Sequence, residues 1–270
     1  MDEHSSKMLD LVCNEARKIP GIYDLVLRGS GSRKDRVKPF VQGWSDLDFS
    51  IIVEKITPEV RERVRSLYNL TREYTDMKMS FILVDTQDFF SKYHLHGIKP
   101  MNYTAEVFNR FQSLIKGDIS YVNRESGPEY AYRINCYTYL SYYVHDVRIR
   151  HLMYANTLPE LRNFFHYLVK RANVISWNAI FLTTGYTGDT CVTRLYEQFP
   201  KLDKNFWETL KQIRANWAEL KYDAPEMRKL IDYVFENIEY IYKEIVKYAE
   251  EHVFRVDGDS YKMQKLQAAK

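Results

Sequence analysis

The chain has 270 residues, of which 45% are hydrophobic and 28% are charged, and its formal net charge is +3. These values are typical of a globular protein, and a chain of this length forms one large domain or two moderate ones. The small net charge does not favour long nucleic acid as a partner. The three cysteines lie far apart without metal-ligand spacing, which favours reduced thiols and a cytoplasmic protein. The polar N-terminus and the lack of any run of about 20 apolar residues predict neither a secretory leader nor a membrane span.

The first part of the chain alternates helical and strand patterns. Apolar residues at helical spacing predict a helix over 5–19, which Pro20-Gly21 ends. The order helix, strand, turn, strand, helix, strand indicates an α/β domain with a small mixed sheet. The strands are predicted at Tyr23–Leu27, Asp48–Val53 and Lys78–Val84, and the second helix at 58–73.

Beyond Pro128 the pattern becomes helical, and its long amphipathic segments predict a helical bundle. The overall fold class is therefore α+β, with an N-terminal α/β domain followed by helices. Predicted helices cover 129–152, 158–183, 204–221 and 225–252. We divide the chain into a domain at 1–120, a helical bundle at 121–256 and a tail at 257–270 without a strong pattern.

A Gly/Ser turn and a pair of aspartates form the most informative motif. Leu25-Val-Leu-Arg-Gly-Ser-Gly-Ser-Arg33 is a strand followed by a turn, and Trp44-Ser-Asp-Leu-Asp-Phe49 opens the next strand. Side chains alternate along a strand, so Asp46 and Asp48 are expected on the same side. Two adjacent carboxylates repel each other unless a cation lies between them, and hard oxygen ligands suit Mg²⁺. The turn offers backbone N–H groups and close approach for phosphate oxygens, so the motif predicts a metal–nucleotide site.

The same residues resemble the signature of the nucleotidyltransferase superfamily that includes DNA polymerase β. In that signature an apolar residue precedes Gly-Ser, and a spacer separates Gly-Ser from Asp-x-Asp in an apolar strand. Here Gly29-Ser30 and Asp46-Leu-Asp48 are separated by fifteen residues. The pattern is most similar to kanamycin-type antibiotic nucleotidyltransferases and to minimal nucleotidyltransferases, many of which carry a helical C-terminal domain.

The resemblance implies a role for each matching residue. Asp46 and Asp48 would be catalytic and would hold Mg²⁺, with Mn²⁺ as an alternative, against the triphosphate. Gly29 and Ser30 would contact the β and γ phosphates.

Residues around the motif extend the predicted phosphate site. Arg33 would begin the helix after the turn, where both its charge and the helix N-terminus favour phosphate. Ser45 would bind a phosphate or brace the loop. Lys34, Arg36 and Lys38 either add to the phosphate site or belong to a solvated loop.

The third carboxylate that is usual in the superfamily is not at its expected place. The central position of the third strand is Ser80, whereas Asp76 lies at the start of that strand with the same parity. Asp76 is therefore our catalytic candidate, with a turn residue as the alternative interpretation. Kanamycin-type enzymes take their base from the helical domain, which leaves Asp146 or Glu129 as replacements.

Other residues are weaker candidates. His145 and Asp146 are adjacent on one helix and do not form a dyad by themselves. Arg162 and His166 resemble the Arg…His motif of HEPN ribonucleases, although their spacing is shorter than in that family, and we predict helix packing instead. The remaining candidates are expected to be surface histidines and core tryptophans: His94, His96, Trp177, Trp207 and Trp217.

Two functions follow as hypotheses. The first is a Mg²⁺-dependent enzyme that moves a nucleoside monophosphate, AMP from ATP, to a hydroxyl of a small molecule, protein or RNA end and releases pyrophosphate. The second is a non-catalytic nucleotide-binding regulator or antitoxin-like partner on the same fold, which the neutral Ser80 favours. The 22 tyrosines and 14 phenylalanines suit core packing or a homodimer interface in the helical half.

Overall fold

The computed structural model describes residues 3–29, 44–74, 79–90, 111–118, 129–153, 157–185, 191–253, 255–257 and 260–262. It is a mixed α+β structure with a small four-stranded sheet and several helices. This confirms the predicted fold class at that level. The chain divides into two compact units, one of residues 1–98 and 102–126 and the other of residues 99–101 and 127–270. No helix in the described ranges is long and apolar enough to cross a membrane.

The first unit is built around a mixed sheet. Its elements are α1 (Glu3–Ala16), β1 (Ile22–Arg28), β2 (Leu47–Val53), α2 (Pro58–Tyr74), β3 (Met79–Asp85), α3 (Thr86–Phe90) and β4 (Gln112–Ser113). The strand order is β3-β2-β1-β4, with β1 antiparallel to β2 and β4, and with β2 parallel to β3 through the crossover helix α2.

The two faces of the sheet bury different apolar clusters. Alternate residues of β1 and β2 pack with α1 and α2, and this larger core contains Val12, Leu25, Phe49, Val60 and Leu67. The opposite face packs against α3 through Val26, Ile52, Val84, Phe89 and Phe111. Because side chains alternate across a strand, residues in phase with Val26 and Ile52 share this second face.

A fully buried carboxylate joins β4 to β1. The side chain of Asp24 is 0% exposed, and its Oδ1 accepts hydrogen bonds from the backbone N–H groups of Leu25, Ile115 and Lys116 at 2.8, 3.2 and 3.4 Å. Hydrogen bonds to a charged acceptor offset the cost of burying it. We therefore infer that Asp24 stabilises the sheet and is not part of a catalytic site.

The second unit consists mainly of helices. The elements of this unit are α4 (Glu129–Met153), α5 (Leu158–Thr184), α6 (Cys191–Gln198), α7 (Phe206–Ala215), α8 (Ala224–His252), β5 (Arg255–Asp257) and β6 (Ser260–Lys262). The central helix α5 packs against α4, α6 and α8 and is apolar on most sides, as expected for a helix surrounded by others.

Residues that are typical of helix ends occur at the end of α5 and at the start of α8. Gly185 ends α5 with a φ of 68°, and its N–H donates to the carbonyl of Phe181 at 2.8 Å. Asp223 begins α8 with a capping box, in which its carboxylate accepts from the Glu226 N–H and the Glu226 carboxylate accepts from the Asp223 N–H. The predicted boundaries of both helices agree with the structure to within one residue.

Several predicted elements need correction. The helix predicted over 204–221 ends at Ala215, because its chain turns through Asn216 and Trp217. The helix α6 was not predicted, since eight residues give too short a periodic signal. The strand β6 lies in the predicted tail and pairs with β5, which begins two residues before that tail; the local pattern did not indicate either strand.

Candidate nucleotide site

Sheet topology gathers the motif residues at one edge. The end of antiparallel β1 meets the start of β2, and the start of parallel β3 lies beside the start of β2. In this register Arg28 and Ser80 flank Asp48 on its two sides. Gly29 follows Arg28 directly. The edge therefore contains a guanidinium, a glycine, a carboxylate and a hydroxyl.

Ser80 holds the carboxylate of Asp48. Its Oγ donates a hydrogen bond to Asp48 Oδ1 at 2.7 Å across the β2–β3 pair. Both side chains are partly buried, so this bond is less exposed to competition from water than a surface pair. Ser80, which stands where the superfamily usually has a third carboxylate, thus orients the Asp48 carboxylate of the neighbouring strand.

Gly29 lies on the other side of the Asp48 carboxylate, next to Oδ2. Its φ is 66°, a conformation that residues with a Cβ rarely adopt. A Cβ at this position would lie 2.6 Å from Asp48 Oδ2, far closer than a non-bonded contact allows. Both the backbone conformation and the carboxylate beside it therefore favour glycine at this position.

Arg28 is a buried cation that the sequence analysis did not assign to the site. Its side chain is 8% exposed, and Nη2 donates to the carbonyl of Phe49 at 3.4 Å. Directly opposed residues of an antiparallel pair share a face, so Arg28 lies beside Asp48. Arg28 is in phase with Asp24 and Val26, which places it on the face opposite the main core, but its burial depends on the pairing of β1 with β2.

Asp46, the other aspartate of the motif, lies just before β2 at the same edge of the sheet. Trp44 and Ser45 are buried, with 4% and 7% of their surfaces exposed, and Asp46 is partly buried. Since β2 begins at Leu47, Asp48 is its second residue and Asp46 immediately precedes it. The two carboxylates are therefore two residues apart at the edge where β1 ends.

A buried hydroxyl lies further along the same face of β2. Ser50 is 1% exposed, and within the part of the chain that the structure describes its Oγ has no hydrogen-bond partner. It follows Asp48 by two residues and so projects from the same face. The face of the sheet beside Asp48 is thus polar, whereas Val26, Ile52 and Val84 make it apolar further from the edge.

Several of the remaining site predictions concern residues that the structure does not describe. Ser30, Arg33 and Asp76 lie outside the described residues, as do the basic residues at 34, 36 and 38 and the histidines at 94 and 96. The side chain of Glu129 is likewise outside the description. Among the described residues, no group of three or more His, Cys, Asp or Glu side chains is arranged to hold a metal ion.

Asp146 is held by its own neighbours in the second unit. Its carboxylate accepts hydrogen bonds from the Tyr167 hydroxyl and from Arg150 Nε, the latter at 3.0 Å. Burial acts to raise the pKa of Asp146, but the two hydrogen bonds outweigh it and hold the pKa below its usual range. Burial, together with the Asp146 carboxylate, raises the pKa of Tyr167. The exposed His145 is not part of this network, so no His145–Asp146 dyad forms.

Arg162 and His166 pack against one tryptophan. The guanidinium of Arg162 donates to the carbonyls of Trp217 and Leu220, both at 3.1 Å, and lies 5.1 Å from the Trp217 ring centroid. His166 is buried with its ring 5.0 Å from the same centroid. Both side chains therefore join α5 to the segment after α7, as the packing interpretation predicts. Trp177 and Trp207 are also buried and contact each other edge to face.

No protein-family model matches the chain, and no curated protein shows significant similarity to it.

Proposed function

We propose that this chain is a Mg²⁺-dependent nucleotidyltransferase that moves AMP from ATP to a hydroxyl group and releases pyrophosphate. The observation that carries the proposal is the placement of the Asp48 carboxylate. Ser80 donates a hydrogen bond to one of its oxygens, and Gly29 lies against the other. A carboxylate oriented in this way beside a glycine turn matches what a metal–phosphate site requires. The acceptor is a hydroxyl of a small molecule, protein or RNA end.

The residues at this edge fit a magnesium ion in their chemistry. Asp46 and Asp48 would hold it, because carboxylate oxygens are the ligands that Mg²⁺ prefers. Gly29 supports the fit: the space that a Cβ would fill is taken up by the Asp48 side chain, so the carboxylate lies directly against the glycine. When bound with the nucleotide, Mg²⁺ neutralises phosphate charge and stabilises the departing pyrophosphate.

The protein contributes orientation and fixed charge to this reaction. The acceptor hydroxyl would give up its proton to a carboxylate base, for which Asp76 is our candidate, as its oxygen forms a bond to the α-phosphorus. The bond from that phosphorus to the bridging oxygen of pyrophosphate breaks, and pyrophosphate leaves. Ser80 fixes the direction of the Asp48 carboxylate before the nucleotide arrives, so no reorganisation is needed during the transfer. Arg28 adds a positive charge next to the carboxylate pair, which favours the anionic phosphates.

A transfer assay tests the proposal. The purified chain is incubated with α-labelled ATP, Mg²⁺ and a cell extract as the source of acceptors, and pyrophosphate release and label transfer are measured. D46N and D48N keep side-chain size but remove charge, and each should reduce transfer at least 100-fold, about 2.7 kcal/mol of transition-state stabilisation. Transfer that is unchanged in both variants contradicts the proposal.

The neutral hydroxyl at position 80 favours a second candidate, a nucleotide-binding regulator without catalysis. Ser80 supplies a hydrogen bond but no negative charge and no base. Calorimetry with ATP separates the two candidates. Mg²⁺-dependent binding without pyrophosphate release in any extract favours the regulator, whereas release that depends on Asp48 removes it.

We also propose a cytoplasmic location and a homodimer formed through the aromatic helical half. α4 leaves Tyr142, Ile149 and Leu152 exposed, with 61%, 56% and 86% of their surfaces accessible, which suits an interface. Sedimentation of the purified chain tests the dimer. A single monomer species up to about 100 μM would contradict it.

A further inference from the structure

A cluster of aromatic and charged side chains lies between α4 and α5 in the second unit. Tyr143 and Asp146 belong to α4, and Tyr167 and Arg171 belong to α5. The guanidinium carbon of Arg171 lies 4.4 Å from the ring centroid of Tyr143 and 4.9 Å from that of Tyr167. Contacts with a ring on each helix hold this guanidinium between α4 and α5.

The positive charge of Arg171 has no ion-pair partner within the described part of the chain. None of the carboxylates there forms an ion pair with it, and its buried Nε has no hydrogen-bond partner there. The nearby carboxylate of Asp146 instead accepts hydrogen bonds from the Tyr167 hydroxyl and from Arg150 Nε. Arg171 is itself partly buried, where water screens a charge less, so the missing counter-charge costs free energy.

Two other arginines of this unit also lie over aromatic rings, and both have acceptors. Arg148 lies 5.0 Å from the Tyr242 ring centroid and donates to both carboxylate oxygens of Glu239, at 2.6 and 2.7 Å. Arg162 donates to two backbone carbonyls. Arg171 shares their aromatic contact, but the residues that the structure describes supply it with neither a carboxylate nor a carbonyl acceptor.

The hydroxyls of Tyr143 and Tyr167 interact with the same guanidinium. Burial raises the pKa of both tyrosines, whereas Arg171 acts on both in the opposite direction. Because a phenol hydroxyl is neutral, the two tyrosines orient Arg171 without compensating its charge. The guanidinium is therefore held in place for an anion that this part of the chain does not provide.

We propose that Arg171, with the hydroxyls of Tyr143 and Tyr167, is a binding site for a carboxylate of a ligand or partner. A planar guanidinium matches a carboxylate, whose two oxygens accept parallel hydrogen bonds from it. The charged side chains that interact here are Arg150, Arg171 and Asp146, which sum to one positive charge that one carboxylate neutralises. A phosphate monoester brings about −1.5 to −2 at pH 7 and would leave negative charge beside Asp146.

Two sources of the carboxylate share this chemistry. One is a small organic acid, and the other is an acidic side chain of a second copy of this chain in the proposed homodimer. All residues of the site belong to α4 and α5, so the site does not depend on the proposed nucleotide chemistry.

Titration of the full chain with sodium acetate tests the proposal, with chloride keeping the ionic strength constant. The readout is the Nε–Hε signal of each arginine in nuclear magnetic resonance, and the Arg171 signal is assigned by its loss in R171K. We expect this signal to shift with half-saturation at about 10 mM or below. The Arg148 signal is the matched control and should not shift, since Glu239 already occupies its guanidinium. An Arg171 signal that moves no more than that of Arg148 overturns the proposal.

Inorganic phosphate, titrated at the same ionic strength and pH 7.5, distinguishes the two anion chemistries. We expect its half-saturation to need at least about threefold more ligand than acetate, because its second charge lies beside Asp146. Tighter binding of phosphate than of acetate overturns the assignment to a carboxylate.

Thermal denaturation gives a reading that does not depend on signal assignment. Acetate at about 100 mM, compared with chloride, should raise the Tm of wild type and of R148M by about 2–4 °C and leave that of R171M unchanged. Each shift is measured within one variant, so a change in the variant's own stability does not enter. Equal shifts in R171M and R148M overturn the proposal.

Carbodiimide coupling of R171K identifies the source of the carboxylate, because it joins the new amine only to a carboxylate in direct contact. Unlabelled and isotope-labelled R171K chains are mixed, coupled and analysed by mass spectrometry. A link between chains assigns the carboxylate to a second copy, and acetate binding without such a link assigns it to a small acid; either result keeps the proposal. R148K is the control and should couple to Glu239 in its own chain. Coupling of the R171K amine to Asp146 of its own chain shows an internal counter-charge and overturns the proposal.

Discussion

At the scale of single residues, Asp48 is the side chain on which the site depends. Its two oxygens have different neighbours: Oδ1 accepts a hydrogen bond from Ser80, and Oδ2 lies against Gly29. The sequence motif predicts that Asp48 and Gly29 lie close together, and in the structure the Asp48 side chain lies against Gly29. It could not indicate that Ser80 reaches Asp48, because that contact depends on the parallel register of β2 and β3.

Gly29→Ala should damage the site more than the fold. Ala strains the positive φ by about 1–2 kcal/mol and places a Cβ against the Asp48 carboxylate. Gly21→Ala is the matched control, because its φ is 64° and its nearest neighbour is the flexible Glu54 side chain at 3.6 Å. Urea denaturation should show similar losses of stability for both variants, whereas calorimetry should show lost nucleotide binding for Gly29→Ala only. Equal nucleotide affinities for the two variants would contradict this prediction.

Tyr233 makes stability depend on alkaline pH. Burial and the hydrogen bond that its hydroxyl donates to Asp203 raise the pKa of Tyr233 to about 12. A raised pKa means that the folded state favours the neutral phenol, so its contribution to stability is complete below about pH 10 and is lost as pH rises from about 10 to 12. Denaturation of wild type and Tyr233→Phe between pH 8 and pH 12 should show curves that converge at the alkaline end. A difference between the two curves that stays constant from pH 8 to pH 12 would contradict the predicted effect of Tyr233 on stability.

Arg28 shows why part of the site could not be predicted. An arginine at the end of a strand is usually solvated, and nothing in its local sequence distinguishes a buried guanidinium from an exposed one. Its burial results from the pairing of β1 with β2, which places Asp48 opposite. The local pattern gives the strand, but the position of Arg28 opposite Asp48 requires the register of the two strands.

At the scale of elements, long periodic segments were predicted well and short ones were not. α5 and α8 have apolar residues repeating over many turns and clear end signals at Gly185 and Asp223. α6 has eight residues and β4 has two, so each depends on packing or pairing with distant segments. The β5–β6 pair is similarly a product of pairing between two three-residue strands.

The start of α8 should be sensitive to its capping residue. Asp223→Ala removes one half of the capping box, which should cost about 1 kcal/mol of unfolding free energy. Thr157→Ala is the control, because Thr157 occupies the same position at α5 without a side-chain capping bond. Chemical denaturation should show a loss for Asp223→Ala at least twice that for Thr157→Ala. The reverse order would show that the capping bond does not stabilise α8.

Arg162 should contribute to stability rather than to catalysis. Arg162→Ala removes two hydrogen bonds to backbone carbonyls and the contact with Trp217, for a loss of about 2 kcal/mol. Arg65→Ala is the control on α2, because the Arg65–Glu62 pair is exposed and should matter by less than about 0.5 kcal/mol. Thermal denaturation compares the two variants. Ribonuclease activity in the wild type that disappears in Arg162→Ala without loss of stability would contradict this assignment.

At the scale of the whole molecule, the sheet and the long helices lie in different compact units. The described strands of the four-stranded sheet belong to the first unit, and the long helices α4, α5 and α8 belong to the second. The larger apolar cluster of the sheet draws on residues of the first unit. Composition alone does not distinguish the units, since both contain apolar and charged residues throughout; the prediction of two domains rests on the change from strand to helical periodicity along the chain.

The central claim is that Asp48 belongs to a metal-dependent nucleotide site, and calorimetric titration with a non-hydrolysable ATP analogue tests it most directly. The titration is run on wild type, D48N and D10N, with and without Mg²⁺; Asp10 is an exposed carboxylate on α1 and serves as the control. We expect Mg²⁺-dependent binding for wild type and D10N, and binding weakened at least tenfold for D48N. Equal affinity of all three proteins, or binding that is indifferent to Mg²⁺, would contradict the claim.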